Sequence, residues 1–126
     1  MNSKDCKQQP GNMQPNNFTL TSVDGATVSL WDYRDRTNVV MFIFDPSHKF
    51  DLSALTILGL KDQEFADTNT EILAIASNPD CTSVERLRRM GLPFHVLLDD
   101  GSIQSKMGIE TIPCILALDR YGVLVM

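Results

Sequence analysis

The stretch Val39-Val40-Met41-Phe42-Ile43-Phe44-Asp45-Pro46 decides how this sequence is read. Its six consecutive apolar residues are too few for a helix, and β-branched and aromatic side chains dominate them. They read as a strand covered on both faces, the kind found in parallel sheets flanked by helices. Asp45-Pro46 ends the run, and a loop over residues 47–51 leads into a helical pattern. In residues 52–66, Leu55, Leu58 and Phe65 share one stripe, with Ile57 beside it. Asp51 or Ser53 is placed to cap that helix, Ser53 the more plausibly. Gly59 inside it costs about 1 kcal/mol relative to Ala.

Working outward, residues 72–76 (Ile-Leu-Ala-Ile-Ala) repeat the buried-strand pattern. After the loop Asn78-Pro79-Asp80, Thr82-Ser83-Val84-Glu85 matches a capping box, predicting a helix that runs to Met90 and stops at Gly91. Residues 94–98 read as a strand with Asp99-Asp100-Gly101 as its turn, and residues 103–107 as a short helix ending at Gly108. Residues 114–118 form a strand, Asp119-Arg120-Tyr121-Gly122 a turn, and residues 123–125 a last strand. Upstream, Phe18-Thr19-Leu20 and Val28-Ser29-Leu30 alternate around Asp24-Gly25, a short hairpin, followed by a helical turn at Trp31 and Tyr33. Residues 1–17, with Pro10, Gly11 and Pro15, read as a flexible tail, and residues 18–126 as one domain. The order β-β-β-α-β-α-β-α-β-β predicts an α/β fold with a partly parallel sheet, helices on both faces and an antiparallel closing hairpin. A further helix normally covers such a sheet, which leaves open that the domain lacks its last helix.

Composition narrows the function. The chain has 126 residues, 43% hydrophobic and 21% charged, enough for one cored domain. A net charge of −5 argues against a nucleic-acid surface, which needs clustered Lys and Arg. No apolar run approaches the ~20 residues of a membrane span. The N-terminus has no apolar signal region, so the cytoplasm is the default location. The three cysteines, Cys6, Cys81 and Cys114, are widely spaced with no CxxC, CxxH or HExxH. A zinc site and a disulfide scaffold are therefore both unexpected, and three free thiols are expected. No metal or cofactor is called for. No Gly-rich loop follows the first long strand, which weighs against a flavodoxin-type phosphate binder.

Three segments together resemble the peroxiredoxin/redoxin (AhpC/TSA-like) branch of the thioredoxin-like superfamily. They are the hairpin over residues 18–30, the strand and corner over 39–46, and Gly108-Ile109-Glu110-Thr111-Ile112-Pro113 with the strand and turn through Val123. The resemblance spans residues 18–126. It implies a thioredoxin-like three-layer fold, with a central mixed sheet between helices and an N-terminal β-hairpin. It also implies thiol-redox, antioxidant chemistry on peroxides or protein disulfides. That family's reactive motif is Pro-x-x-x-Thr/Ser-x-x-Cys. Anchored on Pro46, its hydroxyl position falls on Phe50 and its cysteine position on Ser53; no cysteine lies between Cys6 and Cys81. A serine cannot form the sulfenic acid or disulfide that peroxide reduction requires. Natural loss and an introduced Cys→Ser change both remain open.

The resemblance makes Thr111-Ile112-Pro113 a cis-proline loop able to pair with a partner's backbone. It puts Cys114 on the strand facing the first helix, near Ser53, as a candidate displaced thiol, against the commoner inert strand cysteine. Cys81, before a helix N-terminus beside Asp80, is a second candidate. Cys6 lies in the tail. His48 and Lys49 occupy the corner loop, with catalysis or anion binding weighed against plain solvation. His95 reads as a core or edge histidine, Arg86, Arg88 and Arg89 as a solvated face beside Glu85, and Trp31 and Tyr33 as core lids. Two functions follow. One is a thiol-redox protein whose residual activity comes from Cys114 or Cys81. The other is a non-catalytic thioredoxin-fold module that binds a protein thiol or disulfide partner through the cis-proline loop. A homodimer is left open.

Overall fold

The computed structural model describes residues 17–125. The first strands are β1 (Thr19–Ser22), β2 (Thr27–Ser29) and, after a 3-10 turn (Leu30–Tyr33), β3 (Asn38–Phe44). Next come α1 (Lys49–Leu60), α2 (Asp62–Ala66), β4 (Thr70–Ser77) and α3 (Cys81–Arg89). The chain closes with β5 (His95–Asp99), α4 (Ser102–Lys106) and β6 (Cys114–Leu118). The sheet runs β2-β1-β5-β4-β3-β6. Strands β3, β4 and β5 are mutually parallel; β1 and β6 run against their neighbours.

The apolar run of β3 does what a two-faced strand must. Met41 and Ile43 face a core with Leu73, Ile75 and Leu97, closed by Leu30 of the 3-10 turn and Ile103 of α4. Phe42 and Phe44 face the opposite core with Val96 and Leu98, closed by Leu55 of α1 and by Val84 and Leu87 of α3. Register explains how two phenyl rings fit there. Phe42 pairs with Ala74 and Phe44 with Ala76, so the neighbouring strand presents its smallest side chains where the rings stack, 5.4 Å apart.

Several expectations change in detail. The helix read over 52–66 begins at Lys49 and breaks at Lys61, whose φ of −101° and ψ of 4° leave the helical region, giving α1 and α2. The break separates Leu55 and Leu58 from Phe65, which the stripe had joined. The capping box at Thr82 is displaced by Asp80, whose Oδ1 accepts from the Ser83 amide at 2.7 Å, starting α3 at Cys81. A carboxylate is at least as good a cap as a threonine hydroxyl, and Asp80 sits two residues earlier. The last strand reduces to a single bridge, Leu124 to Leu118. Asp119 Oδ1 accepts from the Tyr121 and Val123 amides at 2.9 and 3.0 Å, closing the turn that leads into that bridge. Asn17, read as tail, is fixed: its Oδ1 accepts from Ser29 Oγ and from the Trp31 amide, both at 3.0 Å.

Candidate functional site

The strand-to-helix corner is built around two aspartates. Asp45 Oδ1 accepts from the Ser47 hydroxyl at 2.7 Å and the Ser47 amide at 2.9 Å. These two donors, the hydroxyl foremost, hold the Asp45 carboxyl below the usual carboxylate range. The His48 amide closes the turn onto Asp45 O at 3.1 Å, and α1 starts at the next residue. Asp51, in the first turn of α1, is buried, and its Oδ2 accepts from the Asp45 amide at 2.9 Å. That bond ties the helix start back to the end of β3. Solvent meets His48, Lys49 and Phe50, the last 80% exposed, while Pro46 is buried.

Ser53 does not cap α1. The helix begins four residues before it, and its exposed hydroxyl donates to Lys49 O at 3.1 Å, one turn back. The position matched to the family's cysteine therefore lies in the second turn, where the favourable field of a helix N-terminus has largely decayed.

The Ile112–Pro113 peptide bond is cis. Thr111 and Pro113 are exposed and Ile112 half-buried. Cys114 pairs with Ile43 across the sheet, which brings the preceding residue, Pro113, level with the end of β3. Directly opposed residues of an antiparallel pair point to one face. Cys114 thus shares the face of Ile43, Met41 and Leu116, the side closed by α4. Helix α1 packs on the other face. This corrects the expectation that Cys114 faces Ser53: the pleat turns the free, half-buried thiol away from the corner.

Cys81 is also corrected. It is disulfide-bonded, and it is the first residue of α3. Cys6 lies outside the described residues. Asp80, its neighbour, is held below the usual range by the Ser83 amide first and the Ser83 hydroxyl next. Glu85 pairs with Arg88 and, at 3.5 Å, with Arg89. His95 is half-buried at the start of β5. Trp31 is less of a core lid than expected: it is 43% exposed, with the Arg34 guanidinium 5.3 Å above its ring. Tyr33 does pack against the core, and burial pushes its phenol pKa up.

Beside the corner, β6 is an edge strand of the sheet among the described residues. Ala117 O accepts from the Val125 amide at 2.8 Å and the Asp119 amide donates to Val123 O at 2.9 Å, so the odd-numbered residues face outward from the sheet. By the same alternation the N–H and C=O of Ile115 face outward, one position beyond Cys114 and beyond reach of the residues 123–125. The Ile115 side chain is 47% exposed. Sequence reading missed this edge, because outward or inward pairing depends on register and no residue type signals it.

Asp99 was also missed as more than a turn residue. Its Oδ2 accepts from the Gly101 and Ile103 amides at 3.0 and 3.2 Å. Its Oδ1 is buried without a hydrogen-bond partner, and burial pushes its pKa up. Gly101 is obligatory beside it: φ is 97°, and a Cβ there would lie 3.1 Å from Asn78 Nδ2.

Among the described residues no group of His, Cys, Asp and Glu is placed to hold a metal ion, and no helix is long and apolar enough to cross a membrane.

A six-stranded mixed sheet between helices, with a cis-proline loop opposite the first strand-to-helix corner, defines a thioredoxin-like protein. Solved structures agree on the fold. The pneumococcal exposed lipoprotein thioredoxin Etrx1 from Streptococcus pneumoniae superposes with a TM-score of 0.75 at 23% identity, covering 87% of this chain and 86% of that one. The thioredoxin domain of a thiol-disulfide oxidoreductase from Bacteroides vulgatus gives 0.75 at 16% identity, covering 93% and 86%. A secreted disulfide oxidoreductase of Mycobacterium tuberculosis gives 0.71 at 19% identity, covering 86% and 80%. No curated protein matches by sequence. The chain belongs to the AhpC/TSA family, whose model matches residues 10–126.

Proposed function

We propose that this chain is a thioredoxin-fold module that binds an extended segment of a protein partner at the β6 edge, and that its α1 corner does not reduce peroxide. The observation that carries the reading is the pairing of a thiol-free corner with a backbone edge that no described residue pairs at Ile115. Ile115 offers an outward donor and acceptor two residues beyond the exposed Pro113, with exposed Thr111 in the same loop. Backbone pairing of this kind supplies affinity without a reactive group, and flanking apolar side chains supply selectivity. At the corner, His48, Lys49, Phe50 and Asp51 fill the first turn, and the Cys114 thiol lies on the other side of the sheet. The chemistry of thiol peroxidases needs a sulfur at that helix start.

An unfolded, fully alkylated protein serves as the model client. Titrated into the isotope-labelled chain, it is expected to shift the amide resonances of Thr111, Ile112 and residues 114–116. Ile115→Pro removes the outward N–H and leaves pairing with β3 intact, a substitution that an edge strand tolerates. A net hydrogen bond of about 0.5–1.5 kcal/mol predicts binding roughly two- to tenfold weaker. Shifts that map elsewhere would dismiss the docking reading. Peroxide consumption by the chain with dithiothreitol, faster than by dithiothreitol alone, would dismiss the silent corner.

A further inference from the structure

Helix α1 is apolar on two opposite sides. Leu55 is fully buried, and a Cβ at Gly59 would lie 3.1 Å from Leu92 Cδ2, so these positions mark the inner side. The outer side carries Lys49, Phe50, Ser53, Thr56, Ile57 and Leu60, all exposed and spaced three or four residues apart. Phe50 is 80% exposed, Ile57 54% and Leu60 82%. A surface helix ordinarily turns a polar side to water, and a contiguous exposed apolar stripe marks a contact. We propose that a second copy of this chain covers the outer side of α1, the two helices crossing antiparallel about a two-fold axis near Leu55. This inference goes beyond docking at β6 and does not depend on it.

Three observations favour a copy of the chain itself. First, the hydroxyls of the stripe ask nothing of a partner. Ser53 Oγ donates to Lys49 O at 3.1 Å and Thr56 Oγ1 to Leu52 O at 3.0 Å, so covering them strands no donor. Second, the stripe complements itself. With the axis at position 55, Phe50 lies opposite Leu60 of the second copy, and Ser53, the smallest side chain of the stripe, lies opposite Ile57 of the second copy. Third, charge permits the approach. At a net charge of −5 two copies repel as wholes, and an anionic lipid surface repels either. The single carboxylate of α1, Asp51, is buried, and the charge that α1 shows to solvent is Lys49. Each end of the contact gathers Lys49 of one copy with Lys61, Asp62 and Glu64 of the other, two charges of each sign, and Lys61 already pairs with Glu64 at 3.5 Å.

The contact is small. A helix of 12 residues is about 18 Å long. One such face per copy buries less than the roughly 1,200 Å² at which standard interfaces begin, so the pair forms and parts with concentration, with a Kd on the order of 0.1 mM.

The test follows the full chain from about 10 μM to about 1 mM, a range that brackets such a Kd, with a non-reducing gel to exclude disulfide-linked pairs. Sedimentation equilibrium is expected to show the mass rising from 14.1 kDa toward twice that value. In the isotope-labelled chain, amide resonances of residues 49–61 are expected to shift with concentration while those of residues 114–116 stay still. Ile57→Glu and Leu60→Glu, both at exposed positions, are each expected to weaken pairing at least about tenfold, since each change enters the contact twice, and to leave the circular dichroism melt unchanged. A chain that stays at 14.1 kDa throughout overturns the proposal, as does a dimer that survives both substitutions. Concentration-dependent shifts at residues 114–116 alone would move the pairing to β6 and overturn it too. So would a monomeric chain that binds vesicles of phosphatidylcholine and phosphatidylglycerol through α1, which makes lipid the occupant.

Discussion

Removal of the Asp51 carboxylate should loosen the corner more than any change to its exposed residues. Asp51 is 3% exposed and accepts the Asp45 amide at 2.9 Å, bridging the end of β3 to the first turn of α1. Asp51→Ala deletes a hydrogen bond to a charged group, worth about 1.5–3 kcal/mol. It also deletes a favourable charge at a helix start, worth about 0.3–1 kcal/mol. The sum is about 2–4 kcal/mol. For a domain of this size that lowers Tm by roughly 8–15 °C. Asp51→Asn keeps an oxygen in place and loses mainly the charge, so about 1 kcal/mol and roughly 4 °C are expected. Amide exchange localises the effect. Protection of the Asp45 N–H should fall at least about tenfold in Asp51→Ala, as 1.4 kcal/mol corresponds to a factor of ten. Protection of the Ser83 amide, held by Asp80 on α3, should fall only with global stability. Unchanged protection at Asp45 in Asp51→Ala would refute the idea that this carboxylate holds the corner.

Other outcomes follow from the same geometry. Burial raises the Asp99 pKa above 3.8, so its ionisation opposes folding: Tm should fall as pH rises from 3.8 through the folded-state value, and Asp99→Asn should abolish that fall in a Tm–pH series. Asp45 has the opposite sign, being held lower in the folded chain, so its contribution is present above pH 3.8 and lost on acidification; Asp45→Asn should flatten the acid limb. Ala76→Leu forces a larger side chain opposite Phe44 and should cost about 1–3 kcal/mol in urea unfolding, with little change in slope. A sulfur placed by Ser53→Cys should titrate near the ordinary thiol value, because it enters the second turn, whereas His48→Cys at the N-cap should give a clearly more acidic thiol by absorbance at 240 nm.

Much of this fold was readable because β3 states it twice over. A run apolar at every position has to be covered on both sides, and Met41/Ile43 and Phe42/Phe44 divide between the two cores accordingly. The alanines of β4 have the same logic, although only the register reveals that they face the phenyl rings. Helix boundaries were less readable because competing caps have similar strength: Asp80 against Thr82, and a turn closed by Asp45 well before Ser53. The candidate site was read in part. Its loop and proline were placed together at one end of the sheet. The side of the sheet on which Cys114 lies follows from a pairing that spans 71 positions of chain, from Ile43 to Cys114, and no local pattern encodes it. The covalent state of Cys81 is likewise invisible in the spacing of three thiols.

Three same-direction strands deliver three helix starts to a single rim, and this arrangement has an electrostatic consequence. Each of these helices turns its first free backbone N–H groups toward that rim, and an aspartate answers at each: Asp51 in the first turn of α1, Asp80 at the start of α3 and Asp99 before α4. The rim thus gathers positive helix ends and the carboxylates that balance them into one band of the molecule.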